Sequence, residues 1–307
     1  MGKRDREKSL LEFAETGNIP IASTVMGLSA VPTGHPLFVG NLGMHGNIAP
    51  NEMSQASDLI IAVGMRFSDR VTGDVNNYAP GARIIHVDVD QAELGKNLRC
   101  DLPICADAKD ALDAFKIGLK HVARDDWFEL AARSRVKEQE LIFDRTEDPQ
   151  GKFITMSQVI RTLAEVENAD AVIVTDVGQN QMFSARYSKF NSTRSFITSG
   201  GLGTMGFGLP AGMGAKVGAP KREVVAIMGD GGLQMTMQEL GTIMQNKIGL
   251  KMLVLNNTYL GMVRQWQRLL YSQRYSFTDL ENPDFPLLVS AYGIQSRRIT
   301  KPSQLRD

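Results

Sequence analysis

The sequence is poor in cysteine and histidine, and the positions of these residues limit the chemistry that it can perform. Cysteine occurs only at Cys100 and Cys105, which is too little for a disulfide framework or a four-ligand zinc site. All the histidines and both cysteines lie before residue 151. The second half of the chain therefore cannot by itself supply a Cys-His or Ser-His pair for nucleophilic catalysis.

Net charge and long apolar runs are also lacking. Lysine plus arginine and aspartate plus glutamate each number 34, so no bulk electrostatic field favours nucleic acid or an anionic membrane. We expect small molecules or other protein chains as partners. No apolar run approaches the ~20 residues that span a bilayer, and the charged N-terminus lacks the apolar region of a signal peptide. These absences predict a cytoplasmic protein.

What the sequence does contain is an alternation of short apolar runs with helical segments. The runs DLIIAVG, ARIIHVDVD, AVIVTD and EVVAIM are continuous and rich in Ile and Val. Such runs are typical of strands that are buried on both faces of a parallel sheet. A chain of 307 residues has room for two domains. We therefore predict an α/β fold with two doubly wound parallel-sheet domains.

Composition predicts where these domains meet. Residues 1–118 form the first predicted domain, 119–150 a charged and solvated helical connector, and 151–307 the second domain. Both ends of the chain look cut, because no strand precedes the first helix and the helix-start signals in KPSQLRD are followed by almost no chain. We expect a segment of a longer polypeptide or one subunit of a split one.

Two neighbouring strands of the second domain end in polar residues. EVVAIM precedes a predicted turn over 229–232 that contains Asp230, and KMLVLNN ends in Asn256 and Asn257. Because the carboxyl ends of parallel strands meet at one sheet edge, these side chains should lie together. A carboxylate and an amide oxygen beside glycines suit Mg²⁺ that also binds phosphate oxygens. The alternative is an ordinary turn and an ordinary strand exit, but the joint spacing favours the metal site.

The helix between these strands is predicted from its start signal. Thr236 and Glu239 form a Thr-x-x-Glu capping box, after which Met237, Leu240 and Met244 lie on one helical face. A Walker A loop is excluded, because GxxxxGK[ST] does not occur. Without a nucleophile in this domain, chemistry at the phosphate end would belong to a cofactor.

The motifs of the chain resemble a known family. GDG followed, one helix and one strand later, by NN is the signature of thiamine diphosphate enzymes. The segments LNNTYLGMVRQWQ, VGQNQM, SGGLGTMGFGLPAG, LGMHG and GMRFSDRVTGD are similar to the catalytic subunit of acetohydroxyacid synthase, or acetolactate synthase. This resemblance covers nearly the whole chain. It implies that residues 1–118 belong to the family's middle, FAD-binding domain and residues 151–307 to its thiamine diphosphate-binding domain.

The resemblance implies a cofactor site in the second domain. Asp230, Asn257 and the backbone carbonyl of Tyr259 would bind Mg²⁺. The positions that would line the diphosphate are Gly178, Gln179, Asn180, Gly231 and Gly232. Position 180 is usually histidine in these enzymes, and asparagine keeps one donor but cannot carry a proton. The remaining implied contacts are the carbonyl of Gly203, which would accept from the aminopyrimidine, and Met205, which would hold the cofactor bent. Met205 taken alone is a gap-filling core residue.

The helix after Tyr259 carries Met262, Trp266 and Leu270 at i, i+4 and i+8. By spacing alone, such a face belongs to a core. The resemblance instead implies that Met262 and Trp266 face the substrate, with the tryptophan shaping the choice of the second 2-oxo acid. A hydrophobic pocket separates substrates that differ by one methylene by only about 1 to 3 kcal/mol.

The resemblance also implies FAD in the first domain. Its positions are Thr24, Met26, Gly43, Met44, His45, Gly64, Arg66, Arg70, Asp88 and Asp107. Arg66 and Arg70 can pair with a pyrophosphate, and Asp88 can bind a ribose hydroxyl. Taken alone, His45 is a satisfied loop histidine and Asp88 a strand-end cap. The reaction has no obvious redox step, so the role of the flavin would be structural or ancestral.

The implied reaction joins pyruvate to a second 2-oxo acid, pyruvate or 2-oxobutanoate. Its products are 2-acetolactate and 2-aceto-2-hydroxybutanoate, in branched-chain amino-acid biosynthesis. The implied partners are further copies of the chain, in at least a dimer formed through an N-terminal pyrimidine-binding domain that supplies a glutamate, and a small regulatory subunit. Since that domain is not among the printed residues, we expect this chain alone to bind Mg²⁺ and diphosphate weakly and to turn over no pyruvate.

Two other interpretations of the sequence stay open. One is a different thiamine diphosphate decarboxylase or carboligase, against which GMVRQWQ argues. The other is a non-catalytic cofactor-binding half of a split enzyme, which a separately encoded pyrimidine-domain partner would reveal.

Overall fold

The structure is a computed structural model that describes residues 4–145 and 152–306. Contacts within the chain divide it into two compact units, Met1–Arg145 and Thr146–Asp307. Both units are α/β structures with parallel strands. No helix within the described ranges combines the length and the apolar character that a membrane span requires.

The first unit alternates strands with helices. Its helices are α1 (Arg4–Gly17), α2 (Ile48–Ala56), α3 (Asp69–Thr72), α4 (Ala108–Phe115) and α5 (Asp125–Glu138). Its strands are β1 (Ile21–Ser23), β2 (Phe38–Asn41), β3 (Leu59–Val63), β4 (Arg83–Asp88) and β5 (Leu102–Cys105). Strand β1 pairs with β2, and β4 lies between β3 and β5; all these pairs are parallel. A 3₁₀ turn covers Val25–Gly27, and α5 continues into a π-helical turn over Gln139–Phe143.

Helix α5 differs from the solvated connector that the charged composition predicts. Its Ala131 is buried in a cluster with Ala49 and Met53 of α2. On the same helix, the hydroxyl of Ser134 is buried and donates to Glu52 at 2.5 Å. The expectation of a solvated connector is therefore corrected for this helix, which packs on the first unit. The predicted boundary between residues 150 and 151 lies outside the described residues.

The second unit is built around a single four-stranded sheet. Its helices are α6 (Met156–Val166), α7 (Gln179–Tyr187), α8 (Gly208–Gly218), α9 (Asp230–Thr236), α10 (Glu239–Asn246), α11 (Gly261–Leu270) and α12 (Phe285–Ser290). Its strands are β6 (Val172–Thr175), β7 (Phe196–Thr198), β8 (Val224–Gly229) and β9 (Lys251–Leu255). A 3₁₀ turn covers Pro302–Gln304.

The strand order of this sheet is β7-β6-β8-β9, with all pairs parallel. From β6 the chain moves outward to β7, then crosses back to β8 on the other side of β6 and continues to β9. The direction of winding therefore reverses between β6 and β8. At such a switch point the loops after the two strands diverge, which opens a crevice at their carboxyl ends.

Burial along the central strands matches the apolar sequence runs. Every residue of β6 is buried, and so is β8 as far as Met228. Side chains from helices on the sheet, among them Leu209 of α8 and Leu240 of α10, complete a core with Met228. Strands buried on both faces are those that lack polar alternation. The prediction of an α/β fold with parallel sheets is confirmed.

The region after β8 corrects the predicted turn and capping box. Helix α9 begins at Asp230 itself, and Thr236 ends that helix. The Thr236 hydroxyl donates to the carbonyl of Gly206 at 3.0 Å and caps no helix. Helix α10 begins separately at Glu239, so Met237 precedes it. Of the three residues predicted for one apolar face, Leu240 is buried, whereas Met237 and Met244 are exposed. Tertiary contact with the glycine-rich loop therefore outweighs the local capping signal.

Glu167 lies beside a second carboxylate at the amino end of this sheet. Glu223, just before β8, is paired with Lys251 and accepts from the backbone N–H of Asn168 at 2.9 Å. Oε2 of Glu167 is buried without a hydrogen-bond partner among the described residues. Burial, and then the charge of Glu223, raise the pKa of Glu167 from 4.5 to about 7.

The raised pKa of Glu167 predicts that stability falls as pH rises. A folded state that favours the protonated acid gains stability in full below the unfolded pKa of 4.5 and loses it as pH rises through about 7. We expect the free energy of unfolding to drop by about 1 kcal/mol between about pH 5 and about pH 8, a value reduced for partial solvent exposure. Urea denaturation at both pH values measures it. Glu167→Gln should abolish the difference, whereas Glu165→Gln, in the last turn of α6, should retain it. If the free energy of unfolding of Glu167→Gln still fell between the two pH values, the effect would not arise from Glu167.

Candidate cofactor site

A cleft opens at the switch point of the second sheet, at the carboxyl ends of β6 and β8. Its empty space, counted together with the open mouth, is about 430 Å³. Most of the residues predicted for a cofactor in this unit line it. They are Gly178, Gln179, Asn180, Met205, Asp230, Gly231, Gly232, Asn257, Tyr259 and Met262.

Two predicted residues are placed differently. Gly203 and Trp266 do not belong to the lining of the cleft in the part of the chain that the structure describes. Gly203 is exposed and has a φ of 66°, and Trp266 is half-buried one helical turn beyond Met262 on α11. Leu270, the third member of that helical face, is exposed. The face is therefore not a core face, and only Met262 of the three contributes to the cleft.

Asp176 follows β6 directly and binds the glycine-rich loop that leads to α8. Sequence reasoning missed this residue. The carboxylate is 0% exposed. Oδ1 accepts from the backbone N–H groups of Val177 and Gly206 at 2.8 and 3.1 Å, and Oδ2 accepts from that of Gly208 at 2.8 Å. A Cβ on Gly232 would lie 2.6 Å from Oδ1, so only glycine allows α9 to pack this closely. The available signal was its place directly after a strand, as with Asp230.

The N-terminus of α7 forms one wall of the cleft. Gly178 precedes the helix with a φ of 131°, which L side chains rarely adopt. The first N–H groups of a helix have no partner within the helix and attract anions. Asn180 in this first turn is 4% exposed, and its Oδ1 has no hydrogen-bond partner among the described residues. The free N–H groups of this helix N-terminus fit a phosphate ligand, whereas the unused Oδ1 of Asn180, which only accepts, fits a donor group or a cation.

Asp230 forms the opposite wall, at the start of α9. It is 1% exposed and lines the cleft. Oδ1 accepts from the backbone N–H of Gly231 at 2.9 Å. Oδ2 accepts from the backbone N–H of Thr258 at 2.7 Å and from Nδ2 of Asn282 at 2.8 Å. Donors on two distant segments therefore orient this carboxylate.

Asn257 and Tyr259 follow β9, the neighbour of β8. Oδ1 of Asn257 accepts from the backbone N–H of Tyr259 at 3.1 Å, which closes a tight turn. The guanidinium of Arg264 lies over the rings of Tyr259 and Tyr275, at 4.2 and 3.9 Å, and pairs with Asp279 at 3.0 Å. This stack secures the turn that brings Asn257 and Tyr259 to the cleft.

The donor set of the cleft fits a hard divalent cation. Asp230, Asn257 and Tyr259 line the cleft and can offer a carboxylate, an amide oxygen and a backbone carbonyl. Across the described residues, no three histidine, cysteine, aspartate or glutamate side chains form a metal cluster. Mg²⁺ commonly takes one or two carboxylates from the protein and its other oxygens from phosphates and water. The residues thus fit Mg²⁺ bound together with a diphosphate.

A hydrogen bond joins α7 to α11 across the cleft. Nε2 of Gln179 donates to Oε1 of Gln265 at 3.1 Å. Gln265 lies on the helix that carries Met262 and Trp266. The first turn of α7 and the helix that is predicted to face the substrate are therefore linked. Sequence reasoning missed this pair, since nothing local marks two glutamines 86 positions apart.

In the first unit, the residues predicted for FAD follow the carboxyl ends of the strands. Backbone hydrogen bonds connect some of these ends to a neighbouring strand, and one joins the loop after β2 to α3. They run from Leu42 N to Ser23 O, from Met44 N to Arg70 O, from Gly64 N to Val87 O and from Ala106 N to Asp88 O. Four of the predicted residues, Met44, Gly64, Arg70 and Asp88, take part in these hydrogen bonds.

Several of these side chains have local partners. Asp107 caps α4 by accepting from the backbone N–H of Lys109 at 2.8 Å, and it forms an ion pair with Arg6. Asp88 accepts from the backbone N–H of Asp90 at 2.9 Å, which matches the alternative of a strand-end cap. The helix cap and the ion pair give the carboxylate of Asp107 its partners without any ligand. FAD binding by this unit remains a prediction.

Comparison with known proteins identifies both units. A family model described as thiamine pyrophosphate enzyme, C-terminal TPP binding domain, matches residues 176–307. A second, described as thiamine pyrophosphate enzyme, central domain, matches residues 2–115.

Curated relatives match along almost the whole chain. A probable acetolactate synthase large subunit of Methanocaldococcus jannaschii is 44% identical over 310 residues, which cover 98% of this chain and 52% of the relative. The acetolactate synthase isozyme 2 large subunit of Escherichia coli (strain K12) is 42% identical, covering 99% and 54%. The acetolactate synthase large subunit of Lactococcus lactis is 42% identical, covering 96% and 51%.

The chain spans about half the length of the curated relatives that it matches. Residues 176–307, which match the C-terminal TPP binding domain, include Asp230 and Asn257 of the cleft. Both family models describe the same kind of enzyme. The chain therefore belongs to the thiamine pyrophosphate enzyme family, of which it carries the central domain and the C-terminal TPP binding domain, and it is similar to acetolactate synthase large subunits.

Proposed function

We propose that the cleft of the second unit binds thiamine diphosphate through Mg²⁺ and that the chain is part of an acetolactate synthase. One observation carries the proposal: a buried carboxylate, an amide oxygen and a helix N-terminus converge at the switch point of the sheet. That convergence suits a diphosphate with its cation, and the matching family model covers the residues concerned.

Each wall of the cleft has a proposed role. Asp230, Asn257 and the carbonyl of Tyr259 hold Mg²⁺. The first turn of α7, with Asn180, and the close-packed Gly231 and Gly232 receive the diphosphate. Met205, whose Cε would lie 3.7 Å from a Cβ on Gly231, borders the same space and supports the bent cofactor. Gly203 has the accessible backbone that a carbonyl acceptor for the aminopyrimidine requires.

The proposed reaction is the joining of pyruvate to a second 2-oxo acid, pyruvate or 2-oxobutanoate. Bound thiamine diphosphate supplies the electron sink for decarboxylation. Helix α11 presents Met262 to the cleft and Trp266 one turn later, and we assign to them the apolar surface that receives the substrates. The names of the relatives support acetolactate as product and a multi-subunit enzyme, with a smaller subunit as a partner.

The binding proposal is tested by calorimetry on the 307-residue chain. Thiamine diphosphate should bind when Mg²⁺ is present and lose that binding when EDTA removes the cation, because phosphate and protein share the metal's coordination sphere. Thiamine, which lacks the diphosphate, is the matched control ligand and should bind far more weakly. Equal binding of both ligands, or binding indifferent to EDTA, would contradict a diphosphate site.

Product analysis tests the reaction separately. With pyruvate, thiamine diphosphate, Mg²⁺ and FAD, the complete enzyme should form acetolactate, whereas acetaldehyde as the sole product would favour another decarboxylase. The isolated chain should turn over no pyruvate, because the resemblance assigns an essential glutamate to another domain. Turnover by the isolated chain would show that a group within these residues replaces that glutamate.

A further inference from the structure

A short segment near the end of α11 covers the turn that bears the proposed metal ligands. We call residues 276–282 the strap. It pairs with the turn in an antiparallel manner, through a bridge between Tyr259 and Asp279. Two backbone hydrogen bonds of 2.8 Å flank this bridge, from Leu260 N to Thr278 O and from Leu280 N to Thr258 O. The strap is therefore fixed to the turn, and its last residue, Asn282, reaches the cleft wall.

Asn282 uses its amide to join three segments. Its Nδ2 donates to Oδ2 of Asp230 at 2.8 Å and to Oδ1 of Asn256 at 3.0 Å. Its Oδ1 accepts from Nε2 of Gln234, on α9, at 2.7 Å. An ionised carboxylate only accepts, so Asn282 must present its NH₂ group to Asp230. Gln234 stabilises that orientation, because it offers a donor to the opposite side of the same amide.

The hydrogen bonds to Asp230 leave a defined place for a cation. A carboxylate has about four acceptor positions on its two oxygens. Donors from Thr258 and Asn282 occupy Oδ2, and a donor from Gly231 occupies one position of Oδ1. One position of Oδ1 remains. Without Asn282, the carboxylate group could rotate so that its two oxygens exchange places. The free position would then no longer be fixed on Oδ1.

We propose that Asn282 is a positioning residue that orients Asp230 for the divalent cation, and that Gln234 sets the orientation of the Asn282 amide. This inference rests on the proposed function of the cleft. Asn282 acts through Asp230 and does not itself hold the metal. Groups behind a metal ligand commonly change metal affinity by about 10- to 100-fold when they are lost.

The choice of cation separates positioning from simple support of the fold. Mg²⁺ demands near-ideal octahedral geometry, whereas Ca²⁺ accepts flexible coordination. A misoriented carboxylate should therefore harm Mg²⁺ more than Ca²⁺. A residue that only supports the fold would weaken the binding of both ions by the same factor.

The experiment is calorimetry of thiamine diphosphate against the 307-residue chain, titrated with Mg²⁺ or with Ca²⁺. In Asn282→Ala, the Mg²⁺ concentration for half-saturation should rise about 10- to 100-fold, with a clearly smaller rise for Ca²⁺. Asn246→Ala is the matched control, because that asparagine donates to Thr242 O on the exposed face of α10. Its half-saturation values should equal those of the wild type. An equal rise for both ions in Asn282→Ala would overturn the inference.

A second variant tests the proposal without removing Asn282. In Gln234→Glu, the new carboxylate lacks a donor, so the Asn282 amide should turn and present its oxygen to Asp230. The Mg²⁺ requirement should rise several-fold, again more than that for Ca²⁺, although Gln234 makes no hydrogen bond to Asp230 itself. An unchanged ratio of the two ions would show that Gln234 does not set the amide.

The same assay separates this inference from the proposed function. Asp230→Asn should raise the Mg²⁺ requirement by more than about 100-fold. If that variant binds thiamine diphosphate with normal Mg²⁺ dependence, the proposed cation site fails. If it shows that rise while Asn282→Ala keeps the wild-type preference for Mg²⁺ over Ca²⁺, only the role of Asn282 fails.

Discussion

Replacing Asp176 with alanine should lower the free energy of unfolding of the second unit by about 3 to 5 kcal/mol. The carboxylate is fully buried and accepts from the backbone N–H groups of Val177, Gly206 and Gly208. Hydrogen bonds to a charged group contribute about 1.5 to 3 kcal/mol each, and the contributions of several bonds to one group do not simply add. The loss leaves buried donors without an acceptor. Asp176→Ala should also release the glycine-rich loop that leads to Met205.

Hydrogen exchange of the β8 amides measures this effect, because it reports on the core of the second unit alone. Asp170→Ala is the matched control: this exposed aspartate precedes the same strand, β6, at its other end. We expect the control to change stability by less than about 0.5 kcal/mol. A similarly small change in Asp176→Ala would mean that the hydrogen bonds of this carboxylate contribute little to the stability of the second unit.

Replacing Asp230 with asparagine should raise the Mg²⁺ requirement for thiamine diphosphate binding more than about 100-fold. Groups behind a ligand account for about 10- to 100-fold, and loss of the ligand's own charge should exceed that. The side chain keeps its size, so Oδ1 of the new amide can still accept from Thr258 or Asn282. What disappears is the buried negative charge of Asp230, the only carboxylate among the described residues that line the cleft.

Calorimetry with thiamine diphosphate and increasing Mg²⁺ gives the magnitude of this loss. Asp170→Asn, on the opposite edge of the same sheet, is the control and should bind as the wild type does. Thermal unfolding of Asp230→Asn separates a lost metal site from a lost fold, since the variant should still unfold cooperatively. A folded variant with wild-type Mg²⁺ dependence would show that the cation, if bound, is held elsewhere.

Asp176 and Asp230 illustrate why a motif alone cannot distinguish a structural aspartate from a proposed metal ligand. Both follow an apolar strand of the same sheet, and each accepts three hydrogen bonds. Asp230 lines the cleft, whereas the backbone of Gly232 packs against the carboxylate of Asp176. Access to the cleft distinguishes their proposed roles, and access depends on how Gly232 of α9 packs against Asp176.

The errors of sequence reasoning also have physical causes. Helix α5 looked solvated because its average composition is charged, yet one narrow face with Ala131 is buried against α2. The Thr236–Glu239 pattern looked like a cap, but Thr236 donates to Gly206. Helix α6 does begin with a capping box, in which Thr155 and Gln158 exchange hydrogen bonds. Local patterns hold where no distant group competes for the same side chain.

The sequence by itself determined the parallel α/β fold and the family, because strands buried on both faces and the motifs at their ends are contiguous in the chain. It also brought Asp230 and Asn257 to one edge, since parallel strands end together. Only the tertiary structure decided which groups hold these residues. Asn282 is 52 positions from Asp230, and Gly206 is 30 positions from Asp176. Hydrogen bonds over such separations leave no periodic pattern, because they depend on how whole elements pack.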